Sequence, residues 1–314
     1  MSLTSNALPS PGLLGPVGWV GRSVLGSMSY VGGVVLLACE AMGSLLRPAE
    51  DEAEASTAFG SVLVRQLSWM LALGMPLVGL VHVAMGSFLA LQAYYGSTFV
   101  DGTGAVVGVG LLRNLGGLMT GMTLSGILAA RMIPELRRLA HAAAAVEHRA
   151  GAGPGHMAAA GAGRLAAPRI AAAAIASLLL AQWGVAVGTL VGWQASMAMM
   201  GLPSETFFLM MVRMMWFRDV VGLIIKGLLF GTLPAAICCY EGLHEAVRDG
   251  QTAPGAAGAG TLPGDAGALP LATPVFRATC LGIVTILISN LSWFILVYHA
   301  VPFYGPTLLK PPAM

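Results

Sequence analysis

The chain has 314 residues, of which 56% are apolar and 10% charged, with a mean hydropathy of +0.79. These values exclude an ordinary soluble domain and indicate a polytopic membrane protein. A formal net charge of +2 gives no electrostatic case for nucleic acid as a partner.

The first 16 residues read as a tail and 17–66 as an interfacial region. Within that region the apolar run Val24 to Leu46 is broken by Gly26, Gly32, Gly33 and Gly43 and carries Glu40 near its end. It is expected to lie in or dip into the interface as an interfacial or re-entrant helix, with a conventional span as the alternative. A five-helix membrane domain follows over 67–300. Its runs of about 20 residues, the length that crosses a bilayer, are 67–95, 105–130, 170–193, 220–240 and 278–300.

Between the second and third spans, 131–169 begins with a basic segment, and Ala150 to Ala167 is nearly all Gly and Ala with Pro154. That composition reads as a linker, because it buries too little side chain to offset ordering entropy. The stretch from Trp193 to Phe217 reads as an external excursion with an amphipathic segment. Residues 250–274 form a second Gly/Pro-rich insertion, and 301–314 a tail whose Pro302, Pro306, Pro311 and Pro312 exclude a helix.

Arginine placement orients the chain. Arg131, Arg137, Arg138, Arg149, Arg164 and Arg169 crowd one connection, whereas the loop around Asp101 has no basic residue. The positive-inside rule makes the first cytoplasmic and the second external, with the N-terminus (Arg22, Arg47, Arg65) inside and the C-terminus outside. No cleavable signal peptide is expected. Cys39, Cys238, Cys239 and Cys280 lack ligand spacing and read as small buried hydrophobes.

Arg113, inside the uncharged second span, is the strongest functional signal. A guanidinium at membrane depth costs about 3 kcal/mol on insertion scales, so it normally faces a cavity, a partner or a ligand. Asp219 and Lys226 are seven residues apart on the fourth span, two helical turns, and share a face. Asp219 also fits a plain helix-start residue. Arg113 and Lys226 could bind an anionic head group in an apolar cavity, or be neutralised by Asp219 and backbone carbonyls as structural glue. His82 reads as a hydrogen-bonded core residue. His141, His148 and His156 have no metal-site spacing, so no metal is expected. Gly184, Gly188 and Gly192 make a doubled GxxxG, a close-packing face within the chain or across a dimer, and Gly117 and Gly121 repeat it once. The two lysines, Lys226 and Lys310, lie outside any phosphate-cradling loop, so this chain is expected to be no enzyme and to bind no cofactor; ATP, if used, is hydrolysed by another chain.

Taken in order, these residues resemble the MlaE/YrbE-type permeases of ABC lipid transporters that work with Mce-domain proteins. Val64-Arg65-Gln66-Leu67 is similar to the family's VRQL opening, and Leu89-Ala90-Leu91-Gln92-Ala93-Tyr94 to its LxLQGY. Leu111 to Gly117 resembles LLRELGP, Ala167-Pro168-Arg169 the PR opening of the third span, Asp219 to Lys226 the D-x-x-x-x-x-x-K, and Arg277-Ala278-Thr279 the RATT before the last span. Two family acids are amides here, Asn114 and Asn290, which implies a more positive cavity. The family's cytoplasmic coupling motif is also altered, keeping Gly126 and Glu135.

The resemblance implies an all-α permease fold with five spans plus the N-terminal helix. Its function would be movement of lipid, phospholipid by expectation, between the bacterial inner membrane and an Mce-domain partner. Arg113, Asn114, Lys226, Asp219 and Asn290 would contact substrate. Glu135, Arg137 and Arg138 would couple to an ATPase docked on Glu135 to Arg149, and the permease would pair with itself or a sister chain. Two rivals are a secondary transporter for an organic anion, which would normally show inverted repeats, and a non-transporting scaffold derived from a permease.

Overall fold

The computed structural model describes residues 14–46, 52–96, 102–149, 156–251 and 272–297. Among these residues seven α-helices follow one another: α1 (Leu14–Leu46), α2 (Glu52–Gly96), α3 (Gly116–Arg149), α4 (His156–Met200), α5 (Ser204–Met214), α6 (Phe217–Gln251) and α7 (Ala272–Ile295). Two successive π-helical turns, Ala105–Val109 and Leu111–Leu115, lead into α3. In an apolar medium each backbone amide must be paired within its own segment, which is what long helices accomplish. Internal prolines occur at Pro76, Pro134, Pro168 and Pro234 without ending α2, α3, α4 or α6.

Among the described residues, six segments are long and apolar enough to cross a membrane: Val24–Leu45, Phe59–Gly96, Ala105–Ala142, Gly161–Met200, Phe217–His244 and Pro274–Ile295. The first is one uninterrupted helix despite its glycines. Gly26, Gly32 and Gly43 face open space, and Gly33 lies against the Tyr240 ring of α6.

The expected Gly/Ala linker needs correction. Residues 156–167 are the first three turns of α4, with Ala166 and Ala167 buried, and only 150–155 fall outside the described residues. Alanine is the best helix former, and Gly163 lets α4 approach the Glu40 backbone of α1, so this stretch packs rather than dangles. The expected external excursion is shorter than read from sequence, because α4 runs on to Met200. It ends at Gly201, whose φ of +62° only glycine adopts without cost and whose amide donates to the Met197 carbonyl at 3.0 Å. The amphipathic helix α5 then follows, burying Phe207. Asp101, most of the 250–274 insertion and the 301–314 tail lie outside the described residues.

Helix α2 packs along α4 and α3 along α6; α4 also meets α6, α7 covers α3 and α6, and α1 lies on α4 and α6. The larger core joins Met70, Leu124, Leu128, Met132, Ile133, Leu136, Ala172, Ala173 and Leu180, with Cys238 and Cys239 of α6. A smaller one, Leu89, Ala90, Val107, Leu111, Leu202 and Phe207, seats α5 against the π-helical turns. Two of the four cysteines match the sequence reading; Cys39 and Cys280 are instead exposed on the outer faces of α1 and α7.

Gly184, Gly188 and Gly192 pack inside the chain. Gly184 sits against the His82 ring, Gly188 lies 3.1 Å from the His82 carbonyl, and Gly192 lies 3.1 Å from the Gly86 carbonyl, these being distances to a Cβ built on each glycine. A Cβ on Gly86 would run into the Gly188 carbonyl. His82 is fully buried with Nδ1 2.8 Å from the Val78 carbonyl, the core role expected of it.

Candidate functional site

The sequence of α6 explains how Asp219 is held. It is the third residue of the helix, and its Oδ2 accepts the backbone N–H of Trp216 just ahead of the first turn at 3.0 Å. That reach-back is one half of a capping box, and it sets a carboxylate at the positive end of the helix. The plain helix-start reading of Asp219 is therefore part of its role.

The same carboxylate meets Arg113. Arg113 Nε donates to Oδ1 at 2.9 Å and Nη2 to Oδ2 at 2.8 Å, a two-pronged pair of the strong kind. The Asp219 side chain is wholly buried, and that of Arg113 is 27% exposed. Arg218 adds a second guanidinium, with Nε 3.8 Å from Oδ1 and its charge over the Trp216 ring.

Lys226, two turns deeper on α6 and buried, donates to the backbone carbonyl of Arg113 at 3.0 Å. That carbonyl lies in the second π-helical turn, where the usual i to i+4 pattern is interrupted. Trp293 of α7 faces the Lys226 ammonium at 6.0 Å. Asn290 is one turn before Trp293, and its Oδ1 is buried with no hydrogen-bond partner among the described residues. Asn114 is half-buried in the π-helical turn beside Arg113. Arg113, Asp219 and Lys226 are thus joined directly.

Arg113 opens onto a shallow, largely open cleft of about 300 Å³ lined by Ala105, Val106, Val109, Met214 and Trp216. Its walls are apolar and one side carries a guanidinium. The site can accept an anionic group at Arg113 with hydrocarbon beside it, in exchange for part of the Asp219 contact.

The opposite end of the bundle holds two more charge clusters. Glu135 of α3 accepts from Gln66 Nε2 of α2 at 2.8 and 3.0 Å and from Arg169 Nη2 of α4 at 2.7 Å. Arg65 lies 3.6 Å away. Glu135 therefore ties three helices together. Of the other residues expected to couple, Arg138 is exposed and Arg137 half-buried. Nearby, the Arg277 guanidinium of α7 pairs through Nε and Nη2 with the fully buried carboxylate of Glu241 on α6.

Sequence reasoning did not single out Gln66, Arg169, Glu241 or Arg277 for such roles. Gln66 was visible only as a letter of an opening motif and Arg169 as a motif letter and a loop arginine, and their shared partner Glu135 is 69 and 34 positions away. Among the described residues no group of three or more His, Cys, Asp or Glu could hold a metal ion. His141 is exposed, and the side chains of His148 and His156 lie outside the described set.

Among the described residues, a helical bundle with six segments able to span a membrane, and with ionic residues paired inside it, defines a multi-pass membrane protein. The profile of Permease MlaE matches residues 63–262, and the chain belongs to that family. It is 25% identical over 235 residues to a probable ABC transporter permease protein, RT0041, of Rickettsia typhi, covering 74% of this chain and 85% of that one. Probable ABC transporter permeases of Rickettsia felis and Rickettsia prowazekii are each 25% identical over 230 residues, covering 72% of this chain and 83% of theirs. The class of the protein is a permease subunit of an ABC transporter.

Proposed function

We propose that the chain moves lipid, phospholipid by preference, between the bacterial inner membrane and an Mce-domain partner. It works as a dimer with itself or a sister permease, and a separate ATPase chain hydrolyses the ATP. The observation that carries this reading is the guanidinium of Arg113 at the mouth of an apolar cleft, in a chain of the MlaE permease family. A phospholipid has that duality, an anionic phosphate joined to hydrocarbon.

In this reading the phosphate engages Arg113, displacing part of the Asp219 contact, while Lys226 holds the Arg113 backbone in place. Acyl chain lies against Val106, Val109 and Met214. The ATPase docks on the α3 end carrying Arg137 and Arg138, and Glu135 transmits its movement to α2 and α4 through Gln66 and Arg169. The N-terminus and this end of the bundle face the cytoplasm.

The test is mass spectrometry of lipids co-purifying with the detergent-extracted protein. Wild type is compared with the Arg113→Ala, Lys226→Ala double substitution and with Val106→Trp, which fills the cleft and leaves the ion pair intact. A defined phospholipid retained by the wild type and lost from both variants supports the reading. Equal lipid content in all three overturns it in favour of the non-transporting scaffold.

A further inference from the structure

A second lipid-compatible surface lies at the other end of the bundle, on the seam between α2 and α3. Arg65 of α2 has a side chain that is 67% exposed, and Arg131 of α3 is exposed as well. Trp69 sits one turn after Arg65 on the same face of α2. Its indole N–H donates inward to Gln66 Oε1 at 2.5 Å, which fixes the ring, and the Arg131 guanidinium stacks over that ring at 4.8 Å. Glu135, one turn after Arg131, is 3.6 Å from Arg65. Trp69 and Glu135 thus bring the two arginines to one place from two helices.

Among the described residues the charges of this cluster do not cancel. Glu135 is the carboxylate of the group, and its shortest ionic contact is with Arg169, which is nearly fully buried. Arg65 and Arg131 therefore present surplus positive charge outward. A planar guanidinium matches the paired oxygens of a phosphate. Below the arginines the same face of α2 turns apolar and exposed, with Leu73, Leu77 and Leu80 at one-turn spacings from Trp69 onward. Head-group chemistry from α2 and α3 thus sits above an acyl-length apolar stripe on α2, and the buried Trp69 ring between them fixes Arg131.

We propose that Arg65 and Arg131 bind the phosphate of an anionic phospholipid of the surrounding bilayer, Arg131 being held in place over the buried Trp69 ring, with an acyl chain along Leu73, Leu77 and Leu80. This resident lipid is separate from any lipid in the Arg113 cleft. It would lock α2 to α3 at the end where Glu135 joins them.

The experiment is native mass spectrometry of the detergent-solubilised protein titrated with phosphatidylglycerol, with phosphatidylcholine, and with inorganic phosphate. Wild type is compared with Arg65→Gln/Arg131→Gln, with Arg65→Lys/Arg131→Lys, and with Arg213→Gln as an exposed-arginine control. Phosphatidylglycerol should bind the wild type and the control alike, and bind the Gln pair about tenfold or more weakly. The Lys pair should recover part of that loss, which separates charge from misfolding. Phosphatidylglycerol binding unchanged in the Gln pair overturns the proposal. Displacement of the lipid by equimolar inorganic phosphate would also overturn it, because the apolar stripe would then contribute nothing. These outcomes do not depend on the Arg113 cleft, whose lipid is read with the variants named for it.

Discussion

Arg113 and Asp219, 106 positions apart, meet in a two-pronged ion pair, and Lys226 fastens the same residue by its backbone carbonyl. One residue of a π-helical turn is therefore gripped at both side chain and main chain by α6. The cost of a guanidinium at membrane depth is offset by a buried carboxylate that is itself positioned by capping its own helix.

Replacing Asp219 by Asn should be strongly destabilising. Removing one partner of a buried pair leaves the other uncompensated, at about 3–5 kcal/mol. Denaturant or thermal unfolding in detergent should show the loss. The Arg113→Leu, Asp219→Leu double variant should lose less than the sum of its two single variants, because the two residues share one interaction.

Glu135→Ala should loosen three helices at once. It strips the buried Arg169 of its carboxylate and leaves Gln66 Nε2 without its acceptor. A drop in the unfolding midpoint is expected, with Glu135→Gln falling between Ala and wild type because an amide oxygen can still accept. A midpoint unchanged in Glu135→Ala would contradict the structural role assigned to it.

Gly86→Ala and Gly126→Ala should differ in sign. The new methyl at Gly86 meets a backbone carbonyl of α4, which cannot swing away, whereas nothing lies within 4 Å of a Cβ at Gly126. Gly86→Ala should lower the unfolding midpoint or abolish folding. Gly126→Ala should raise stability by up to about 1 kcal/mol through helix propensity. Parallel melting curves of the two variants decide the matter.

The proposed orientation can be read by cysteine labelling. In a background of Cys39→Ala and Cys280→Ala, which removes the two exposed thiols, Arg138→Cys should react with a membrane-impermeant maleimide in inside-out vesicles. Glu205→Cys should react in intact spheroplasts. The opposite pattern would invert the topology.

The sequence made some of this legible and hid the rest for definable reasons. Arg113 and Lys226 stood out because an ionic residue in an apolar run is costly wherever it points. Their partners, Asp219 and a backbone carbonyl, were named as one of two alternatives, and sequence could not choose between them because pairing across more than a hundred residues leaves no local periodicity. Asp219 could be placed at a helix start and offered as a counter-charge, and the approach of the π-helical turns to α6 shows that it holds both roles. The π-helical turns were invisible because LLRNLGG reads as well in an ordinary α-helix. Glu135 was read as facing an ATPase, yet in the fold its nearest neighbours are Gln66 and Arg169. Gly/Ala composition misled at 156–167, because low side-chain burial per residue was weighed above the close approach that small residues allow.

Glycine backbone contact between α2 and α4 has a mechanical consequence. Where Gly86 and Gly188 touch main chain to main chain, there is no layer of side chains to change rotamer and absorb a shear. The α2–α4 pair should behave as a single beam. Any opening or closing stroke must then be taken up at contacts where side chains, not main chain, meet.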